Sequence, residues 1–224
     1  MLSLRSWVAN LVVGAGLAAL APFCSAQTVT LNLNTPYQFG NGGEFAATPN
    51  GWFNTPLSLT SDGNFQTFCI QTKVEFSPGS TYSVYFSSVG GGGSPALNEA
   101  TAYLYDQFIR GELPGYDFSN ALGQRQTDAG ALQYAFWTLE GQDTTGLTAD
   151  PDQSLTDFFV NLATTNAQSG NFYDVQIMVM YSGSLDDPSF AQNQLVEFVP
   201  APAGAGVLAL GMLAAGRRRR VVRL

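Results

Sequence analysis

Histidine is missing from all 224 residues. This removes the side chain that most often acts as a general base near neutral pH, and with it the commonest zinc ligand. Hydrolase triads that depend on histidine are therefore excluded. Cysteine is nearly as scarce. Cys24 and Cys69 are the two present, too few for a disulfide framework or a thiolate metal site. Cations are few and unevenly placed. All 17 acidic residues fall between residues 27 and 199, but of the 9 basic ones only Lys73, Arg110 and Arg125 do. A stretch this acidic repels phosphate backbones and anionic lipid headgroups, so nucleic acid is not an expected partner. Long apolar runs are lacking too. Those near the two ends are shorter than the about 20 residues that a permanent membrane span requires.

What is present at the ends reads as targeting. Arg5, the apolar run 8–20 and the small-residue stretch Cys24-Ser25-Ala26 have the order of a signal peptide over residues 1–26, with cleavage before Gln27. Phe23 stands where a lipoprotein would need a small residue. At the other end Pro200, Ala201 and Pro202 lead into the apolar run 203–216, followed by Arg217, Arg218, Arg219 and Arg220. This order resembles the PEP-CTERM sorting signal, with Ala201 in place of the glutamate of the family name. The resemblance implies an exosortase-type sorting protease as partner. It also implies a precursor that enters the inner membrane transiently before release to the cell surface or the exterior. The arginines would hold the C-terminus in the cytoplasm. A stable single-pass tail is the alternative reading of the same residues. The expected organisation is residues 1–26 signal peptide, 27–199 one extracytoplasmic domain, and 200–224 sorting signal with its hydrophobic helix.

Within 27–199, polar and apolar residues alternate in Val29-Thr30-Leu31-Asn32-Leu33, in Leu57-Ser58-Leu59, from Thr67 to Phe76 and in Tyr82-Ser83-Val84-Tyr85-Phe86. Short antiparallel strands are predicted there, with a turn over residues 40–43. The glycines at 90–93 break the pattern and predict a flexible boundary between subdomains. Beyond it the period becomes helical. Leu97, Thr101, Leu104 and Phe108 share one face of a helix ending near Gly111. A second helix is expected from Asp128 to Glu140 with Thr127 as N-cap, and a third from Pro151 or Asp152 to about Ala163. Strand periodicity returns in Tyr173 to Tyr181 and in Leu195 to Val199. The order strands, helices, strands predicts an α+β domain: an antiparallel β-sandwich or barrel carrying a helical insertion.

Two segments stand out chemically, Phe68-Cys69-Ile70-Gln71 and Leu132-Gln133-Tyr134-Ala135-Phe136-Trp137. Together they resemble the bacterial Cys-Gln thioester domain of the TQxA type, found in surface adhesins. Gln71 stands where that family usually has an acidic residue, and Leu132 where threonine is frequent. The resemblance implies that Cys69 and Gln133 form an internal thioester. The thiolate attacks the Gln133 side-chain carbonyl and ammonia leaves; an amine or hydroxyl on a polymer later opens the bond. One opening consumes the protein, so it is a single-use tether and not an enzyme, and it calls for no cofactor or metal. The expected function is adhesion to a surface or matrix polymer such as an exopolysaccharide of a biofilm. The same residues also fit an inert core cysteine with ordinary helix packing around Leu132, Phe136 and Trp137. The protein would then be a non-covalent structural or carbohydrate-binding component of the envelope. An unpaired thiol kept in an exported chain argues for chemistry, because the exterior oxidises free thiols.

Other candidates are weaker. The glycines at 90–93 lack the lysine and the strand-to-helix setting of a phosphate loop. Asp150, Asp152 and Asp157 have calcium-ligand chemistry, although Asp152 equally suits a helix N-terminus. Glu99, Asp106 and Glu112 read as the polar face of one helix, and Asp186-Asp187 as a solvated turn.

Overall fold

A computed structural model describes residues 27–58, 60–94, 96–119 and 123–199. The segments read as a signal peptide and as a sorting motif, the latter including Pro200 to Pro202 and Arg217 to Arg220, lie outside the described residues. The chain opens with a hairpin, β1 (Thr28–Phe39) and β2 (Gly42–Asn50), paired from Thr28↔Asn50 to Phe39↔Gly42. Val29, Leu31, Phe45 and Ala47 of this hairpin are buried. β3 (Phe65–Thr67) adds to β2, and β4 (Ser80–Ser87) pairs with β1. Three helices follow, α1 (Glu99–Ile109), α2 (Arg125–Leu139) and α3 (Gln153–Asn166). The chain then returns to the sheet as β5 (Val175–Ser184), β6 (Asp187–Phe190) and β7 (Gln194–Glu197).

Among the described residues the strands form one seven-stranded antiparallel sheet in the order β3-β2-β1-β4-β5-β6, with β7 also on β5. β6 pairs Tyr181 to Ser184 and β7 pairs Val175 to Met178, so the two short strands divide one edge of β5. The α+β class and the helical insertion between β4 and β5 are as the periodicity predicts. The expected barrel is not formed, and the strands belong to one sheet instead of the two of a sandwich. The reason is local. β3 stops after three residues, so a ladder that would close the sheet onto β7 is reduced to the isolated bridge Cys69↔Gln194. Bonds from Leu195 N to Phe68 O (3.0 Å) and from Ile70 N to Asn193 O (3.1 Å) flank that bridge.

The helix ends show their chemistry. Asn98 caps α1 by accepting from Ala100 N at 2.8 Å, and Asp152 caps α3 by accepting from Leu155 N at 3.0 Å. α2 begins at Arg125, before the expected Thr127 cap, and Gln124 at its N-cap makes no side-chain cap bond. Its first turn is held by tertiary contacts described below. Two other expectations are corrected. Leu57 and Ser58 lie in a turn, not a strand, and the strand expected from Thr67 to Phe76 ends at Thr67. The glycines at 90–93 are no loose boundary. A Cβ on Gly91 would stand 2.5 Å from Val179 Cγ1 and 2.6 Å from Phe190 Cε1, and Gly91 O accepts from Asn193 Nδ2 at 3.0 Å. Glycine is needed there so that the backbone can lie against β5 and β6. Asp186 sits in the expected turn, whereas Asp187 opens β6.

Two apolar clusters result. One joins the helices to the sheet and contains Phe68, Ile70, Leu104, Phe108, Leu132, Phe136, Ile177 and Leu195. The other lies on the sheet and contains Val29, Phe45, Phe65, Cys69, Trp137, Met178 and Val196. The strand-like alternation of residues 68–70 therefore sends Phe68 and Ile70 into one cluster and Cys69 into the other.

Candidate functional site

Cys69 is placed by the segment that bridges β7, and that segment is held on both sides. Thr67 Oγ1 donates to Leu195 O at 2.6 Å, Gln192 Nε2 to Gln71 O at 2.9 Å, and Asn193 N to Gln71 Oε1 at 2.8 Å. Gln71 thus acts as a buried amide clamp on the residues leading into β7. Gln133 comes from the middle of α2, 64 positions along the chain. Both Cys69 and Gln133 are fully buried.

The structure brings the two together. Cys69 Sγ donates to Gln133 Oε1 at 3.3 Å, and Cys69 N also donates to that oxygen at 3.3 Å. In return Gln133 Nε2 donates to Cys69 O at 2.7 Å. The amide is thereby oriented, with its carbonyl oxygen toward a backbone N–H and the thiol. A backbone N–H aimed at a carbonyl oxygen is the arrangement that stabilises charge developing there during acyl transfer. Burial pushes the Cys69 thiol up to about 12, against smaller opposing effects of Trp137 and of the backbone N–H groups of Cys69 and Gln71. At neutral pH the sulfur is therefore a thiol.

Gly42 permits the approach. A Cβ on it would lie 2.4 Å from Gln133 Cγ and 3.0 Å from Trp137 Cη2. Only a residue without a side chain lets the start of β2 lie this close to α2. Two clefts, of about 280 and 240 Å³, open along the segment that follows Cys69, and neither is lined by Cys69 or Gln133. Gln71 and Gln142 line the first, Gly40, Asn41, Phe45 and Gln192 line the second, and Thr72 and Val74 line both.

The sequence reading missed the device that seats α2. Arg125 donates through Nε to Glu44 Oε1 at 2.7 Å and through Nη2 to Glu44 Oε2 at 2.9 Å. Glu44 is fully buried and also accepts from Asn34 Nδ2 at 2.8 Å and from the Tyr116 hydroxyl at 2.5 Å. Tyr37 covers the guanidinium, with the ring centroid 4.3 Å from Cζ. This bidentate pair ties β2 to the first turn of the helix that carries Gln133. The scarcity of cations was the available signal, because a lone Arg125 among so many acids has to serve some acid in particular.

The remaining candidates are placed elsewhere. Asp152 is a helix cap and Asp157 accepts from Gln153 Nε2 at 2.8 Å. Among the described residues no group of three His, Cys, Asp or Glu side chains could hold a metal ion. Of the expected polar face Glu99, Asp106 and Glu112, Asp106 is instead buried at 5 % exposure and paired with Arg110, which also bonds the buried Glu197 of β7. Among the described residues no helix is long and apolar enough to cross a membrane. Comparison with protein-family models, with curated proteins and with solved structures finds no match to this chain.

Proposed function

We propose that residues 27–199 are a thioester domain, and that the protein is an exported tether that fastens itself covalently to a polymer bearing amines or hydroxyls. The observation that carries this reading is the buried Cys69–Gln133 contact, with sulfur and amide oxygen 3.3 Å apart and a backbone N–H on that oxygen. In forming the bond, the Cys69 sulfur attacks Cδ of Gln133. The Cδ–N bond breaks and the nitrogen leaves as ammonia, carrying the thiol proton. Burial then keeps water from the thioester, which is otherwise open to hydrolysis. Export by the N-terminal segment and processing of the proline, apolar and arginine tail by an exosortase belong to the same reading. They rest on the sequence resemblance alone.

The test is the intact mass of the folded domain beside its Cys69→Ala and Gln133→Ala versions. A deficit of one ammonia in the parent alone, lost on treatment with methylamine as the amine adds, is the expected result. Full mass in the parent sinks the proposal. A second reading then takes its place, a non-covalent structural or carbohydrate-binding envelope protein. It is favoured by the reciprocal bonds between Gln133 and the Cys69 backbone, which give that amide a structural role without any thioester.

A further inference from the structure

Trp137 lies one helical turn beyond Gln133, so the two side chains leave α2 on the same side. Both reach the backbone at Gly42, and Trp137 shares an apolar cluster with Cys69. The indole is 1 % exposed and its Nε1 has no hydrogen-bond partner among the described residues. A buried donor left unpaired is costly, and its persistence calls for an explanation. The Cys69 sulfur, in the same apolar cluster, supplies one. As a thiol, Cys69 directs its own proton at Gln133 Oε1 and offers the indole little. As an anion, the sulfur is a strong acceptor, and a charge-assisted bond to it is about twice as strong as a neutral one. The indole already favours the Cys69 thiolate, in the same direction as the backbone N–H groups of Cys69 and Gln71.

Resting on the thioester reading, we infer that the Trp137 indole N–H is the donor that receives the negative charge of the Cys69 sulfur as the carbon–sulfur bond forms and breaks. In opening, an amine nitrogen bonds to Cδ of Gln133 and the Cδ–S bond breaks with its electron pair on sulfur. The proton shed by the amine ends on that sulfur. The indole lowers the barrier by stabilising the departing thiolate before the proton arrives. In formation it holds the same anion as nucleophile. Trp137 therefore acts on the rate of both steps, while Gln133 and Cys69 supply the atoms.

The experiment compares the parent with Trp137→Phe, and with a semisynthetic protein carrying β-(3-benzothienyl)alanine at position 137. The latter keeps the shape of tryptophan and lacks the N–H, so it serves where phenylalanine packs too poorly to fold. Opening by methylamine is followed by intact mass, and the indole N–H resonance of Trp137 is compared between the parent and Cys69→Ala. Opening slowed about tenfold or more in the isostere, at unchanged melting temperature, is expected, together with a Trp137 resonance that moves when the sulfur is removed. Opening at the parental rate in the isostere overturns the inference. Should the parent carry no ammonia deficit, the thioester reading itself falls. The resonance then decides alone: an unmoved signal removes the contact between indole and sulfur, and a displaced one retains it.

Discussion

Gly42 shows how narrow the tolerance is at the scale of single residues. Alanine there would put a methyl group 2.4 Å from Gln133 Cγ, and the opposing atoms belong to a packed helix, not to a free side-chain end. Overpacking of this kind costs about 1–3 kcal/mol. Gly42→Ala is expected to lower the urea midpoint accordingly and to abolish the ammonia deficit, because Gln133 must turn from Cys69 to make room. Retention of the full deficit would show that the glycine is not needed for the site. Glu197 gives a second prediction at this scale. Burial first, and then the charges of Asp106 and Asp174, push its carboxyl up to about 8, with Arg110 opposing. The folded state thus holds this proton more tightly than the unfolded chain, whose carboxyl titrates near the ordinary 4.5. The contribution to stability is complete below about 4.5 and is lost as pH rises through about 8. Denaturant melts at pH 5 and pH 8.5 should show the parent weaker at the higher pH, with the difference reduced in Glu197→Gln. Neither Gly42 nor Glu197 announces itself in the sequence. Glycine is too common here to single one out, and a glutamate in a short strand looks like any solvated acid until β7 is seen against α1.

At the scale of the element, α2 departs furthest from the sequence-based expectation. Its apolar stripe and its stop near Gly141 are legible from spacing, yet its start is three residues early because Arg125 is drawn to Glu44. Local capping preference pointed to Thr127, and a tertiary ion pair overrode it. Removing one member of a buried pair leaves the other uncompensated and costs about 3–5 kcal/mol. Arg125→Met is therefore expected to destabilise the domain by that order in urea. In whatever fraction remains folded, it should also slow formation of the thioester, since the helix carrying Gln133 loses its fixed end. α3 follows the opposite rule, with its start set locally. Asp152→Ala removes one capping bond at a solvated end and should cost about 1 kcal/mol, with no change in the mass deficit. An Asp152→Ala protein that loses the deficit would tie α3 to the site more directly than its geometry does.

For the whole molecule, charge is the dominant feature. The described domain holds acids far in excess of its three cations, and each of those three is engaged, Lys73 with Asp143, Arg110 with Asp106 and Glu197, and Arg125 with Glu44. The remaining acids repel one another, which works against the compact state. Raising sodium chloride from about 0.01 M to about 1 M shortens the screening length from about 30 to about 3 Å. The melting temperature should rise over that range, and a fall would mean that the ion pairs of these three cations outweigh the repulsion. The sequence by itself determined this charge balance, the exclusion of histidine chemistry, the α+β class and the order of the elements. All of these depend on composition and on periodicities only a few residues long. It also marked Cys69 and Gln133 as a pair through their flanking residues. That their side chains meet, that Trp137 shares an apolar cluster with Cys69 and that the sheet stays open were decided by the tertiary structure alone. Those facts depend on contacts between segments tens of residues apart, whose approach is set by how a glycine, an ion pair and two apolar clusters pack together, and no local pattern encodes that.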